Sequence, residues 1–391
     1  MLFRAFKKTC LFCCGLICAA FLFEAVLRCI ELTPAWKTLP VAEVSLYGPD
    51  AKTAYTHRKN VKGIWTTENR AKISTNEFAI RSNGRHNFIK NPDAKNIGII
   101  GNSIIEALQV ADIDTFVSQT EEILRSRINS INVHNLGLSG TTPVIELERS
   151  KYFTELLDLD TLIIINSPAN LTHRIEYSQG GSLPFYTMDE IGNIRINRKY
   201  LKSRGYKIRT SIIGDAFYFL MNHSKLFTVL NNRMNRGLLD ELQINKVQQT
   251  AHSSENTNTC PNEAIESLKI LSQTQDNNSQ RTHALINHLL GQYSALQNRT
   301  GVKIIYAFYD NWKSCPKTLT QSAHTALIAM LENNNIEYYD LKSDLKSHLP
   351  PNITLQDLRG FASPKGHLNY TGHQVFSSTL SNYIINNYSN E

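Results

Sequence analysis

NIGIIGNSIIEALQV, residues 96–110, begins as an unbroken apolar run and then breaks on a glycine, an asparagine and a serine. The run Asn96–Gly101 reads as a buried strand, because it is short, apolar on both faces and closed by turn residues. Ser103 follows at once, at a sharp turn. GHLNYTGH, residues 366–373, lies near the far end and offers His367 just ahead of an apolar-periodic helix. A serine hydroxyl is a poor nucleophile until a base takes its proton. A strand-end serine and a distant histidine are therefore what nucleophilic acyl chemistry needs, if the fold brings them together.

Outward from this stretch, strands and helices alternate. Asp114–Arg125 has helical spacing, INVHN (131–135) is a strand, Thr142–Leu157 a helix and TLIII (161–165) a third strand. Far downstream KIIYAF (303–308) is a strand, Ala323–Leu331 a helix, IEYYD (336–340) a strand and Thr371 to about Tyr388 a closing helix. Short apolar strands alternating with helices predict parallel strands joined by crossovers. The expected fold class is α/β, a three-layer α/β/α sandwich with a mainly parallel sheet. Its chemistry should lie at the C-terminal strand edge. Residues 33–95 read as a connecting region with short strands, and 96–391 as the main domain. An insertion of about 178–299 interrupts that domain. It holds a Gly180–Gly181 turn, an apolar helix around Ile212–Leu230, and a polar stretch, Thr250–Glu263, that reads as a loop with little to bury.

The N-terminus stands apart from this domain. Arg4, Lys7 and Lys8 precede an apolar run from Cys10 to Phe23, the pattern of a positive segment followed by a hydrophobic one. Residues 1–32 read as an uncleaved signal anchor rather than a cleaved signal peptide, with Glu24 and Arg28 interrupting the apolar continuation. The bulk of the chain is then exported, and the expected location is the inner (cytoplasmic) membrane, single-pass, with the domain outside. Of seven cysteines, five lie in or beside the anchor and read as small apolar residues. Only Cys260 and Cys315 lie in the exported part, where an oxidising compartment lets them pair. The net charge of +7 is scattered rather than gathered into a stripe, which argues against a nucleic-acid partner.

Each candidate residue has a bland reading beside its chemical one. Ser103 could simply cap a helix. HNLGLSGTTP after the second strand could be an ordinary loop, yet Gly137 and Gly140 permit tight turns that expose an amide. NSPANL after the third strand offers Asn166 and Asn170, and a loop asparagine is usually turn chemistry. Donors from such loops could join the Ser103 amide in an oxyanion site. His373 falls about one turn into the last helix and suits capping or packing, whereas His367 is free to face the sheet edge. His283 and His288 are five apart and share a helix face poorly, so no metal and no cofactor are expected.

Taken in order, these blocks resemble the SGNH/GDSL hydrolase superfamily. Gly101, Asn102 and Ser103 resemble its GDS block, NLGLSG its glycine block, NSPAN its asparagine block, and HLNYTGH its histidine block. The resemblance implies Ser103 as nucleophile and His367 as base, with Ser103, Gly140 and Asn170 as oxyanion donors. It covers about 96–175 and 300–388, and implies an SGNH-hydrolase-like, flavodoxin-like sheet. The upstream AKISTNEFAIRSNG and the segment ending EAVLRCIE look like members linked to bacterial envelope polysaccharide synthesis. Three positions depart from the pattern: Asn102 replaces the aspartate, Leu171 follows Asn170, and Lys365 stands two before His367, where relatives often carry an acid. The imidazole then belongs to a Ser–His dyad, oriented by a backbone carbonyl, or to a triad whose acid lies elsewhere, with Asp357 a less favoured substitute. That arrangement implies a weak hydrolase that Lys365→Asp would speed up.

The reading is a membrane-anchored serine esterase acting on O-acyl groups of an envelope carbohydrate. An O-acetyltransferase using the same residues and a catalytically degenerate binding protein are the alternatives. The implied partners are an acylated carbohydrate and the membrane, with no nucleic acid.

Overall fold

The computed structural model describes residues 2–33, 46–65, 68–84, 87–89, 91–128, 130–176, 183–231, 260, 262–273, 276–309, 315–361 and 366–388. Helix α1 (Leu2–Glu31) comes first. Two antiparallel hairpins follow, β1 (Tyr47–Asp50) with β2 (Ala54–His57), and β3 (Lys62–Trp65) with β4 (Ala71–Ser74). The central sheet is built from β5 (Lys95–Gly101), β6 (Ile131–Asn135) and β7 (Thr161–Asn166), then β10 (Lys303–Phe308) and β11 (Glu337–Tyr339). A third hairpin, β8 (Phe185–Met188) with β9 (Ile194–Asn197), lies between β7 and β10 in sequence. The sheet order is β11-β10-β7-β5-β6, and every pairing in it is parallel. The predicted three-layer α/β/α sandwich is therefore the fold.

The strands look uniformly apolar because both faces are covered. Leu162, Ile164, Ile304 and Tyr306 face one core, with Leu147 and Phe153 of α4 (Pro143–Leu156). Ile163, Ile165 and Ile305, their neighbours along the strands, face the other. There they meet Phe116 and Leu124 of α3 (Phe116–Arg125) and Phe376 and Leu380 of the closing helix Tyr370–Tyr388. This two-residue alternation between buried faces is what a sandwiched strand requires. Helix α3 starts later than its spacing suggested, because Thr115 caps it by accepting a bond from the Ser118 amide and Asp112–Asp114 forms a separate 3₁₀ turn.

The chain leaves β5 to β6 on one side and returns to β7 on the other. The end of β5 is thus a switch point of the sheet, where α/β folds open a crevice.

The expected insertion of about 178–299 is two different things. Its last part, the helix Asn277–Thr300, buries Leu285, Ile286, Leu289, Leu290 and Tyr293 in the first core and is the crossover into β10. Polar residues on its outer face interrupt the apolar pattern, which is why it read as inserted sequence. The Gly180–Gly181 turn lies outside the described residues, as does the Thr250–Glu263 stretch up to Thr259. The apolar segment around Ile212–Leu230 divides into α7 (Ile212–His223) and a further helical run at 225–231. Before it stand α5 (Pro168–His173) and α6 (Arg204–Arg209). Cys260 and Cys315 form a disulfide with α-carbons 4.6 Å apart. It ties the helix Asn262–Ser272 to the start of Lys317–Asn333, beside the first core.

Helix α1 runs on through Glu24 and Arg28, which the sequence reading took as interruptions. They are four residues apart and pair at 2.8 Å, so the helix satisfies its own charges. Its stretch Phe6–Ile30 is long and apolar enough to cross a membrane.

Candidate active site

Gly101 ends β5 in a tight place. A β-carbon there would meet the Ile165 carbonyl oxygen at 2.5 Å, so only glycine fits beside β7. Asn102 then caps the short helix α2 (Ser103–Glu106), its side chain accepting a bond from the Ile104 amide at 3.0 Å. This capping role suits asparagine as well as aspartate, so the departure from GDS removes nothing that the turn needs. Ser103 is the first residue of α2 and points to the sheet edge.

His367 Nε2 lies 2.8 Å from Ser103 Oγ. The other ring nitrogen, Nδ1, lies 2.7 Å from Glu68 Oε1, and the His367 amide donates to Glu68 Oε2 at 3.2 Å. A carboxylate only accepts, so Nδ1 carries the proton and Nε2 is left to accept from the serine. Ser103, His367 and Glu68 thus form a continuous serine–histidine–acid chain. Glu68 sits in left-handed backbone at φ 66° and clasps the histidine loop with both oxygens. Gly366 makes room for it: at φ 119°, it would bring a β-carbon to 3.0 Å from Glu68 Oε2.

The expected orienting group is corrected accordingly. It is neither a backbone carbonyl nor Asp357, whose carboxylate is spent on the Thr354 amide and hydroxyl at 2.7 and 2.6 Å. Lys365 lies outside the described residues. His373 is fully buried, stacks on Phe116 and accepts the Phe116 amide through Nδ1 at 3.1 Å. Burial pushes its pKa down to about 3, so it remains neutral and structural.

Gly140 lies in the loop after β6 and Asn170 in α5 just after β7, and these strands flank β5 on its two sides, so both stand at the Ser103 edge of the sheet. Gly140 has φ 75°, and among the described residues neither its amide nor that of Ser103 meets an acceptor. Asn170 lies in α5, its amide bonded to Ser167 Oγ at 3.2 Å. Asn166 is buried and donates to Glu146 Oε2 at 2.8 Å, so its side chain is spent on structure. Gly137 is fixed by closeness, since a β-carbon there would reach the Glu106 amide at 2.2 Å.

Beneath these loops lies a polar cluster absent from the sequence reading. Glu106, the last residue of α2, is fully buried. It accepts from His57 Nε2 at 2.5 Å, Tyr47 Oη at 2.7 Å and the Ser139 amide at 2.7 Å. Burial opposes its ionisation, but the bonds from His57, Ser139 and Tyr47 outweigh this and hold its carboxyl below the usual range. Burial drives the His57 pKa down. Tyr55 donates its hydroxyl to the Ser139 carbonyl, next to Gly140. Arg81, buried on every side, donates to the carbonyls of Glu106, Ala107 and Val110 and pins the C-terminal end of α2. A charged residue inside SIIEALQV was the one available sign of this cluster, because a carboxylate in an apolar run needs buried partners. Glu68, in TTENR, had no comparable sign.

No protein-family model and no curated protein matches the chain. Among solved structures it is similar to TesA, at 9% identity over 73% of this chain and 96% of that one, with a TM-score of 0.36. It is also similar to a lipase/acylhydrolase from Enterococcus faecalis, at 10% identity over 74% and 95%, with a TM-score of 0.35. A third is Axe2, an acetylxylan esterase from Geobacillus stearothermophilus, at 14% identity over 75% and 94%, with a TM-score of 0.34.

Proposed function

We propose that this chain is a membrane-anchored serine esterase that cleaves O-acyl groups from an envelope carbohydrate. The observation that carries the reading is the chain of bonds from Ser103 through His367 to Glu68. Ser103 Oγ attacks the ester carbonyl while His367 Nε2 takes its proton. Glu68 keeps the ring in the required tautomer and stabilises the imidazolium that forms. The negative oxygen of the tetrahedral intermediate is met by the Ser103 and Gly140 amides and the Asn170 side chain. Collapse expels the alkoxide, which takes the proton back from His367. Water then repeats the cycle on the acyl-enzyme and releases the acid. The carbohydrate assignment rests on the resemblance of AKISTNEFAIRSNG and EAVLRCIE to envelope-associated members. With Arg4, Lys7 and Lys8 on the cytoplasmic side of α1, the site faces outward.

The degenerate binding-protein alternative rested on a missing acid, and the Glu68–His367 contact weighs against it. Transfer to a sugar hydroxyl instead of water uses the same residues and differs only in the final acceptor.

A serine-directed fluorophosphonate probe tests the reading. The full chain should be labelled and should hydrolyse a small activated acetate ester, and Ser103→Ala should lose both. A folded protein that hydrolyses the ester equally well as Ser103→Ala refutes the assignment. Acetate appearing on an added oligosaccharide rather than in solution would select the transferase.

A further inference from the structure

The last turns of α1 are not free. Leu27 is buried against Ile64, Leu226 and Val229. The Glu24 carboxylate accepts from Ser224 Oγ at 3.0 Å and from the Lys225 and Leu226 amides at 3.0 and 2.8 Å, capping the helical run 225–231. Arg28 donates to the His223 carbonyl at 2.6 Å, at the end of α7. The exit end of the apolar anchor is therefore bolted to α7.

The outer surface of α7 is unusual for a soluble face. Ile212 is 86% exposed, Ile213 72% and Phe219 60%. Directly before it, Lys199, Lys202, Arg204, Lys207 and Arg209 are all exposed, and Asp215 is the only acid between 199 and 231. An apolar patch flanked by cations is how a helix lies on a bilayer: the apolar groups enter the headgroup boundary and the cations meet lipid phosphates.

We propose that α6 and α7 form a second membrane contact, a plate resting on a bilayer surface rich in anionic phospholipid. Two observations choose this occupant: the charge complementarity, and the continuity of the plate with the membrane helix on which it is capped. The proposal rests on α1 lying in the bilayer. The plate also holds the catalytic edge. Arg58, just after β2, donates to the Tyr218 carbonyl at 3.3 Å and stacks on the Tyr218 ring. Tyr200 and Tyr206 pack on Ala54 of β2, and the next residue, Tyr55, bonds the Ser139 carbonyl beside Gly140. Docking would thus set the height and tilt of the oxyanion loop above the lipid.

The test places a photo-crosslinking amino acid at single positions of the full chain, reconstituted in nanodiscs of phosphatidylethanolamine and phosphatidylglycerol. Leu16 reports the anchor, Ile213 and Phe219 the plate, and Ile191, exposed at the β8–β9 turn, serves as control. Lipid adducts should form at Leu16, Ile213 and Phe219 well above Ile191. Neutralising Lys202, Arg204, Lys207 and Arg209 to Gln should cut the Ile213 adduct severalfold while leaving Leu16 unchanged, the ceiling being about fivefold per cation. Adducts at Leu16 with none above control at Ile213 and Phe219 overturn the plate alone. No adduct at Leu16 overturns the anchor, and the plate with it. A double-mass protein crosslink at Phe219 gives the face to a second copy, and a yield indifferent to phosphatidylglycerol removes the anionic surface.

Discussion

Strands β5, β6, β7 and β10 bury nearly every side chain between two apolar cores, whereas the hairpins β1–β2 and β3–β4 are four-residue strands, half-exposed along much of their length. The sheet is held by apolar burial and carries Ser103 just past the end of β5. The hairpins and the segment after them are joined to it through polar contacts, Arg81 on the end of α2, His57 and Tyr47 on Glu106, Tyr55 on Ser139 and Glu68 on His367, besides a small apolar cluster around Leu108. Apolar burial is non-directional and builds a scaffold. Hydrogen bonds to charged groups are directional, and here they fix the hairpin segment against the sheet edge that carries Ser103. Damage to the second layer should therefore cost activity well before it costs the fold.

The sharpest way to break this comparison is Glu68→Gln. It should lower kcat by about 10²- to 10⁴-fold, because the imidazole loses its orienting charge and its preferred tautomer. The melting temperature should hardly move, since the pair is about one-third exposed (30% and 32%) and such pairs contribute little to stability. A loss of less than about fivefold would take the acid's role away from Glu68.

Next is Glu106→Gln, at the seam between the layers. An amide cannot accept at both former oxygens, so its N–H group meets either the Ser139 amide or the His57 and Tyr47 pair that shares the other oxygen. The expected loss is about 3 kcal/mol, read from the urea midpoint at neutral pH. The folded-state pKa of Glu106 lies below the ordinary value of 4.5. Its contribution is thus present above that pH and lost as pH falls through the folded value, so the mutational cost should shrink in acid.

Glu146 supplies the opposite sign from within α4. Burial raises its pKa to about 7, so its contribution is complete below 4.5 and lost as pH rises through about 7. Its oxygens meet the Thr141 hydroxyl and the Asn166 amide at 2.8 Å each, and glutamine can satisfy both. Glu146→Gln should be near neutral at pH 5 and stabilise by ~2 kcal/mol at pH 8. A pH-independent effect would show that Glu146 is ionised throughout.

The smallest effect belongs to Lys365→Asp. Since Glu68 already holds His367, the substitution should change the rate by less than about threefold, as expected for a charge with no position to complete. A clear acceleration would move the acid's role to position 365 and weaken the case for Glu68.

These outcomes bear on what was legible. NIGIIG, INVHN, TLIII and KIIYAF read as strands almost to the residue, because burial on both faces leaves unbroken apolar runs. Ser103 and His367 were legible because a strand end and a loop before a periodic helix are local features. The cysteine pair followed from counting. Glu68 was not legible: it lies 299 positions from its partner, in a segment without periodicity and in left-handed backbone that no glycine announces. Asn277–Thr300 was missed because its outer face is polar, and α1 was cut short because Glu24 and Arg28 neutralise each other.

The separation of the three groups along the chain has a consequence in time. Glu68 and Ser103 stand close in sequence, but His367 comes 264 positions after the serine. During synthesis Glu68 and Ser103 emerge early, as an ordinary carboxylate and an ordinary alcohol. The bonds that join them form only when the segment carrying His367 has folded onto the sheet edge. On the proposed esterase reading, activity is tied to that closure: a fragment clipped before Gly366 keeps Ser103 and Glu68 without the histidine between them, and should be inactive.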